Sequence, residues 1–274
     1  MNNNIEFSIM SYSFHGLLNV GAMNVFGYLE TVKYRYGLNT ADIWNCFLES
    51  YKPGYIAMLK DNIGERGLKV VNFCCDMAHI WDNDPEVKKQ IEETAWRCIE
   101  TAEALGAKTI RIDAGVREER FSDEQIVYVS NKYREYCKKA ASFGARLGTE
   151  NHWGATLDIG NIELLYKHVN MDNFGILLHL GRWSDADADK KEQNDLQIAA
   201  RAMHIHLDFN KCAEADRYLP PVLASGYGGC WSVEAGGSAN EYNNAAFMLA
   251  QAKRVLNPLT YDGAWKDGPP SVKG

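Results

Sequence analysis

Short apolar segments alternate with longer helical ones along the whole chain. Eight segments have the composition of buried strands: IEFSIMSYSF, ADIWNC, LKVVNFCCD, AKTIRIDAG, RLGTEN, FGILLHLG, AMHIHLDF and CWSVEAGG. Parallel strands that neighbour each other must be joined by crossover connections, and these are usually helices. The alternation therefore predicts a parallel sheet with helices between its strands.

The segments between the strands carry helix signals. In the clearest, residues 84–108, apolar side chains recur every three to four positions and Gly106 can supply a left-handed C-terminal cap. Another helix is predicted to begin at Ser122, because SDEQ can form a capping box in which Ser122 and Gln125 satisfy free amide groups. The remaining helices are predicted over 53–67, 161–169, 192–202 and 239–256.

Eight strands with intervening helices favour a closed barrel. An open doubly wound sheet would carry a glycine-rich dinucleotide turn after its first strand, and SYSFHGLLNVGAMN contains no GxGxxG. A length of 274 residues allows two domains, yet α/β barrels of about 250 residues form a single unit. We therefore predict an α/β fold, a single (β/α)₈ TIM barrel domain over residues 1–256, and a C-terminal surface tail over 257–274.

Composition narrows the classes of partner. The formal net charge of -7 argues against nucleic acid, because binding to a phosphate backbone needs a basic face. No stretch approaches the roughly 20 apolar residues of a membrane helix, and MNNNIEF lacks the features of a signal peptide. We expect a cytoplasmic protein without a nucleic-acid or membrane partner. The seven cysteines include no CxxC pair, so reduced thiols are expected rather than a disulfide framework.

Ionisable side chains collect where the predicted strands end. In a barrel of this type the chemistry gathers at the C-terminal rim, where the strand ends converge. Side chains two residues apart on a strand share a face, so Glu150 points with His152, and His204 points with His206. The residues at these ends are His15, Asp76, His79, Asp113, Glu150, His152, His179, His204, His206, Asp208 and Glu234.

This combination of side chains predicts a metal site. A single histidine is more often a structural residue than a ligand, but the arrival of several at successive strand ends favours a shared site. Imidazole nitrogens together with carboxylate oxygens suit a divalent transition ion rather than Ca²⁺. We expect Mn²⁺ foremost, with Zn²⁺, Co²⁺ or Mg²⁺ as alternatives. The expected ligands are Glu150, His179, His206 and Glu234.

Three segments resemble one known family. TENH with Glu150, MHIHLDF with His206 and WSVEAGG with Glu234 resemble the fifth, seventh and eighth strand ends of the xylose isomerase-like TIM barrels, and the resemblance spans roughly residues 5–255. This superfamily of sugar and sugar-phosphate isomerases and epimerases also includes endonuclease IV-type repair enzymes. The resemblance implies that the glutamates hold the metal and, as in the ketose epimerases, shuttle a proton beside a substrate carbonyl.

The sixth strand departs from the family pattern. The family usually has an aspartate ligand there, followed three residues later by histidine or asparagine, whereas LLHLGRW offers His179 and Arg182. A histidine can replace the aspartate as a ligand, but the site then carries one negative charge less. Arg182 also brings a fixed cation near the rim, which either weakens metal binding or binds an anionic group of the substrate.

The leading hypothesis is a metal-dependent sugar isomerase or epimerase. Glu150 or Glu234 would remove a proton next to the carbonyl of a keto sugar or related polyol, with the developing charge stabilised by the ion. His152 would act as a second acid or base, or would orient Glu150. Stacking on sugar rings and packing in the core are both open for the tryptophans. Substrate contacts are expected from His15, His204, Arg182, Trp153, Trp183 and Trp81.

Other functions remain open. A lyase of the same superfamily would use the same enolisation to cleave a C-glycoside of a 3-keto sugar, together with a small partner subunit. The changes at His179 and Arg182 also allow a non-catalytic sugar-binding barrel that has lost its ion. A DNA-repair endonuclease is disfavoured by the acidic net charge. A homo-oligomer is a further option, and the contact would then involve the tail.

Overall fold

The computed structural model describes residues 5–260 with the exception of Ser238. All eight strands pair in parallel in the order β1-β8-β7-β6-β5-β4-β3-β2, and a bridge between Met10 and Asp42 brings the two ends of the sheet together. The predicted (β/α)₈ barrel is confirmed, and each predicted segment matches one strand, although the second strand begins at Thr40, one residue before ADIWNC. The strands are β1 Phe7–Ile9, β2 Thr40–Trp44, β3 Lys69–Cys75, β4 Thr109–Ile112, β5 Arg146–Glu150, β6 Phe174–His179, β7 Ala202–Leu207 and β8 Trp231–Val233.

Helices connect the strands. Over the described residues the α-helices are α1 His15–Asn19, α2 Val25–Glu30, α3 Pro53–Glu65, α4 Pro85–Leu105, α5 Asp123–Ala141, α6 Ile159–Val169, α7 Ala188–Ala199, α8 Phe209–Ala213, α9 Ala215–Ala224 and α10 Glu241–Thr260. Helix α10 continues past residue 256, so residues 257–260 of the predicted tail are helical. The rest of that tail, residues 261–274, lies outside the described residues, and the prediction for it stays untested.

Local capping explains where two long helices begin and end. Helix α4 ends at Gly106, whose φ of 71° is the left-handed conformation that glycine adopts without strain. Helix α5 begins with the predicted capping box. Gln125 N–H donates to Ser122 Oγ at 3.2 Å, and Ser122 N–H donates to Gln125 Oε1 at 2.8 Å.

The interior of the barrel differs from the layer between sheet and helices. The main core lies between the strands and the helices, whereas a separate small apolar cluster joins Met10, Cys74, Leu177 and Met203. Branched apolar residues ordinarily fill the interior of a TIM barrel. Here that interior also holds buried polar side chains: Asp42, Asn72, Arg111, Glu150, His204 and His206.

Two register shifts lie among these polar residues. The register of β3 against β2 shifts by one residue just before Asn72, which pairs with Asp42. The register of β7 against β6 shifts just before His204, which pairs with Leu177. An extra residue in one strand redirects the side chains around it, and such bulges are common beside functional sites. Both shifts therefore affect which side chains enter the barrel.

The composition raised expectations about membrane helices and about cysteine pairing. In the described part of the chain, no helix has both the length and the apolar character needed to cross a lipid bilayer. All seven cysteines are free thiols, and Cys46 alone among them is exposed.

Candidate metal and active site

The four predicted metal ligands come together at the C-terminal rim. Glu150 ends β5, His179 ends β6, His206 lies near the end of β7 and Glu234 directly follows β8. One potential ligand atom from each lies within 4.8 Å of the corresponding atom of the other three. Four neighbouring strands thus supply one nitrogen or oxygen each, a spacing that suits four ligand bonds of about 2 Å to one cation.

Contacts within this group show whether it could accept an ion. His206 Nδ1 lies 2.6 Å from Glu234 Oε2, and His179 Nδ1 lies 3.4 Å from Glu150 Oε1 and 3.9 Å from Glu234 Oε2. Although His206 Nδ1 is that close to an oxygen, it is buried without a hydrogen bond of acceptable angle. A buried ring nitrogen without a proper partner, surrounded by carboxylate oxygens, fits a divalent transition ion.

Cations surround Glu150. Arg111 Nε lies 3.2 Å from its Oε2, and Arg182 Nη1 lies 3.4 Å from its Oε1. Burial acts to raise the pKa of Glu150, but His152, His179 and Arg111 outweigh it and hold that pKa well below its usual range. Glu150 is therefore an ionised carboxylate and a weak base.

Glu234 has a different environment. Burial acts to raise its pKa, but His206 and then His179 lower it below the usual value. For His206, burial acts to lower the pKa, whereas Asp42 and Glu234 raise it to about 10. The charge of Glu234 is thus balanced by imidazoles, which can give up a proton or bind an ion. Arginine has neither option.

A buried arginine organises the other side of the site. Arg111 Nη1 lies 2.7 Å from Asp76 Oδ1 and 3.1 Å from Asp113 Oδ2, in addition to the contact with Glu150. Burial acts to lower the pKa of Arg111, but the carboxylates of Asp113, Asp76 and Glu150 raise it well above its usual value. Sequence reasoning missed Arg111. The available signal was its position two residues before Asp113 on the same strand face.

His152 pairs with Asp113 at the rim. His152 Nδ1 lies 3.0 Å from Asp113 Oδ2, and because an ionised carboxylate only accepts, the imidazole donates this hydrogen bond. Burial acts to lower the pKa of His152, but Glu150 and Asp113 raise it above its usual value. With Nδ1 engaged, Nε2 is the nitrogen that can exchange a proton with a ligand.

Helix α7 and the residue that follows β5 hold the loop that carries Arg182. Gly181 N–H lies 2.9 and 3.1 Å from the two carboxylate oxygens of Asp195. Asn151 Nδ2 donates to the backbone carbonyls of His179 and Arg182 at 2.9 and 3.1 Å. Burial raises the pKa of Asp195 to about 7 in spite of its hydrogen bonds. The loop is thus anchored at Gly181 and at the backbone carbonyl of Arg182 itself.

Three of the predicted substrate contacts reach the rim. The ring of His15 stacks on Tyr12 with 4.4 Å between ring centres. The guanidinium of Arg117 lies 3.8 Å from the ring centre of Trp153. Arg182, at 38% side-chain exposure, is the most accessible cation beside Glu150. These side chains are partly exposed, as a substrate contact would require.

The other three lie deeper. Trp81 is 8% exposed and its ring lies 3.8 Å from Lys88 Nζ. Trp183 is 3% exposed and its indole N–H donates to Asp195 at 2.7 Å. His204 is 1% exposed and contacts Asp42. Protein covers all three, and their contact with a substrate stays a prediction.

The structure resembles several solved TIM barrels. A probable 3-DHS dehydratase from Bacillus anthracis is 16% identical with a TM-score of 0.70, covering 91% of this chain and all of its own. A 3-keto-D-glucoside 4-epimerase from E. coli is 18% identical with a TM-score of 0.63, covering 83% of this chain and 94% of its own. At such identities the likeness shows the fold.

A third solved structure and a family model also match the chain. D-psicose 3-epimerase from Clostridium cellulolyticum H10 is 15% identical with a TM-score of 0.64, covering 85% of this chain and 94% of its own. No curated sequence matches the chain significantly. Residues 33–230 match the model of the xylose isomerase-like TIM barrel. This match extends over the strands that supply three of the four clustered ligands, and the chain belongs to the xylose isomerase-like TIM barrel family.

Proposed function

We propose that the protein is a metal-dependent sugar isomerase or epimerase that moves a proton at the carbon next to the carbonyl of a keto sugar or related polyol. The observation that carries this proposal is the convergence of Glu150, His179, His206 and Glu234 from four neighbouring strands. The named activities of two structural neighbours, a 3-keto-D-glucoside 4-epimerase and a D-psicose 3-epimerase, support it. When bound there, a divalent ion, Mn²⁺ foremost, supplies Lewis-acid polarisation of a carbonyl.

Glu234 is the better base of the two glutamates. Glu150 is in contact with Arg111 and Arg182, which stabilise its ionised form and reduce its proton affinity. Glu234 has only imidazole partners among the described ion pairs, and its side chain is more exposed, 14% against 3% for Glu150. We therefore assign proton removal to Glu234 and retention of the ion to Glu150.

His152 supplies a second proton-transfer group. Asp113 holds its Nδ1, and Glu150 and Asp113 raise the pKa of His152, which favours the protonated imidazole. A proton taken by Glu234 on one side of a substrate carbon and one returned by His152 on another would invert that carbon. This pair of groups therefore favours epimerisation over simple exchange.

The substrate is proposed to be an unphosphorylated sugar. The sequence contains no phosphate-binding motif, and Arg182 is already paired with Glu150. Arg182 is then positioned to donate hydrogen bonds to hydroxyl or carbonyl oxygens of a neutral substrate. A homo-oligomer or a small partner subunit remains a prediction that the sequence raised.

A lyase reaction is the alternative that one observation favours. The pair of His152 and Asp113 provides a proton donor separate from both glutamates, and such a donor could protonate a leaving group after enolisation. The named activity of another neighbour, a probable 3-DHS dehydratase, is consistent with elimination on this fold. Cleavage of a C-glycoside of a 3-keto sugar would follow the same course.

Deuterium exchange tests the proposal. The protein, loaded with Mn²⁺, is incubated in heavy water with a 3-keto-glucoside and, separately, with a ketohexose, and the sugar is examined by NMR and mass spectrometry. We expect deuterium at the carbon next to the carbonyl, and much slower incorporation with Glu234→Gln. An epimer as product supports the epimerase. A released aglycone, or a sugar that has lost water, supports the lyase.

Two results would contradict enzymatic proton transfer. If the protein carries stoichiometric metal and no deuterium enters the sugar, the reaction is excluded for the sugars used. Absence of stoichiometric metal by elemental analysis, together with no thermal shift on adding Mn²⁺, would favour the non-catalytic sugar-binding barrel.

A further inference from the structure

We propose that Asp42, in β2, is the positioning residue that fixes the orientation of His206 so that Nδ1 of that imidazole is the atom that binds the ion. This inference rests on the proposed metal site, and it concerns a residue that lies below the rim instead of on it. His206 Nε2 lies 2.9 Å from Asp42 Oδ2. Its other nitrogen, Nδ1, faces Glu234 at 2.6 Å.

The hydrogen bonds of Asp42 decide which nitrogen carries the proton. His206 Nε2 and His204 Nε2 both lie 2.9 Å from the same oxygen, Oδ2, while Asn72 Nδ2 donates to Oδ1 at 2.8 Å. An ionised carboxylate can only accept, so each imidazole carries its proton on Nε2. A neutral His206 then has its free lone pair on Nδ1, directed at the other ligands.

A nearby cation would stabilise the buried negative charge of Asp42. Its side chain is fully buried, and its ion-pair partners over residues 5–260 are the two imidazoles, with no lysine or arginine among them. A buried carboxylate is costly unless it is paired and hydrogen-bonded. A cation bound to His206 Nδ1 polarises that imidazole and strengthens the Nε2 hydrogen bond to the carboxylate. Asp42 and the ion therefore stabilise each other through one ring.

The backbone around Asp42 is built to hold this position. The Tyr28 hydroxyl accepts a hydrogen bond from Asp42 N–H at 2.8 Å and lies 2.7 Å from the backbone carbonyl of Ile9. The register shift before Asn72 pairs that residue with Asp42, and the shift in β7 directly precedes His204. The two register shifts, in separate strands, thus lie beside residues that donate hydrogen bonds to the Asp42 carboxylate.

Metal affinity is the direct test. We expect Asp42→Asn to weaken the binding of Mn²⁺ and Zn²⁺ about 10- to 100-fold, as measured by competition with a chelator of known affinity. The matched control is Asp195→Asn, which removes a second buried carboxylate that contacts none of the four clustered ligands. The metal affinity of this control should stay within about twofold of wild type. Equal affinity of Asp42→Asn and wild type would overturn the inference.

A measurement on the unmodified protein covers the case in which Asp42→Asn does not fold. The ¹⁵N-labelled wild type is loaded with ¹¹³Cd²⁺, and the imidazole of His206 is assigned by comparison with His206→Gln. We expect a proton on Nε2 and cadmium coupling to Nδ1. Coupling to Nε2, or a wild type that binds no metal, would overturn the inference.

These tests separate the inference from the proposed function, because neither one uses turnover. Weakened metal binding in Asp42→Asn without deuterium exchange in wild type would support the role of Asp42 and contradict the proposed reaction. Deuterium exchange in wild type together with full metal affinity in Asp42→Asn would contradict the role of Asp42 alone.

Discussion

The two carboxylates that face each other across the site are balanced by different kinds of positive charge. On the arginine side, Glu150 contacts Arg111 and Arg182. On the histidine side, Glu234 contacts His206, which in turn contacts Asp42. Guanidinium groups keep their charge at any pH a protein tolerates, whereas an imidazole can exchange its proton for an ion.

This difference separates two tasks within one site. A carboxylate beside fixed cations stays ionised and is a stable ligand but a weak base. A carboxylate beside imidazoles changes its proton affinity when an ion arrives or leaves. Two glutamates at equivalent strand ends therefore need not be equivalent in chemistry.

The largest effect is expected for Glu234→Gln. Removal of the general base should slow deuterium exchange about 10²- to 10⁴-fold, measured with the ion at saturating concentration so that weakened metal binding does not contribute. Compared with Glu234→Gln, the variant Glu150→Gln should slow deuterium exchange less and weaken metal binding more under the same conditions. A greater loss of rate for Glu150→Gln would reverse the assignment of the two glutamates.

Arg111→Met should cause the next largest effect, on stability. Arg111 is 4% exposed and contacts three carboxylates, so its removal leaves buried negative charge uncompensated. We expect a loss of about 3–5 kcal/mol in the free energy of unfolding, measured in urea. Arg182→Met removes a more exposed partner of the same Glu150 and should cost less than about 1 kcal/mol. Equal losses in the two variants would show that burial is not the deciding factor.

His152→Gln should slow formation of the epimer about 10²-fold while metal affinity is retained. The pKa of His152 is raised, so a step that uses its protonated form fails as the pH rises above that pKa. This alkaline limb should be present in the pH profile of wild type and absent from that of the variant. Wild-type rates in His152→Gln would leave Asp113 and His152 without a role in proton transfer.

The smallest effect concerns Asp195, below the loop that carries Arg182. Its folded-state pKa of about 7 exceeds the unfolded value of about 3.9. The unfolded chain therefore loses this proton first, and the contribution of Asp195 to the stability of the wild type falls as the pH rises from about 4 to 7 and then levels off.

Asp195→Asn lacks that titration. The free energy of unfolding of the variant, relative to wild type, should become more favourable by roughly 1–3 kcal/mol between pH 4.5 and pH 8. Urea denaturation at both pH values measures it. A relative stability that does not change with pH would show that the hydrogen bonds from Gly181 and Trp183 keep Asp195 ionised in the folded protein.

Residues at the rim could be found from the sequence, whereas those below it could not. Glu150, His206 and Glu234 stand where apolar strands end, and polar residues at strand ends are the expected place for chemistry in this fold. Asp42 and Arg111 stand inside the strands TADIW and TIRI, surrounded by apolar neighbours. Arg111 shares a strand face with Asp113, but its contact with Glu150 joins distant segments. The contacts of Asp42 with the two histidines do so as well, and neither strand shows a sign of them.

The amino-acid sequence by itself determined the eight strands, the helices between them and the candidate ligands, since each depends on local periodicity, capping and the position of polar residues along a segment. Only the tertiary structure decided that Asp42 meets His204 and His206, and that Arg111 lies against Glu150. These contacts join residues far apart in the chain, and they depend on how the barrel closes and on one-residue register shifts. A shift of one residue changes which side chains enter the barrel without altering the local pattern from which strands are recognised.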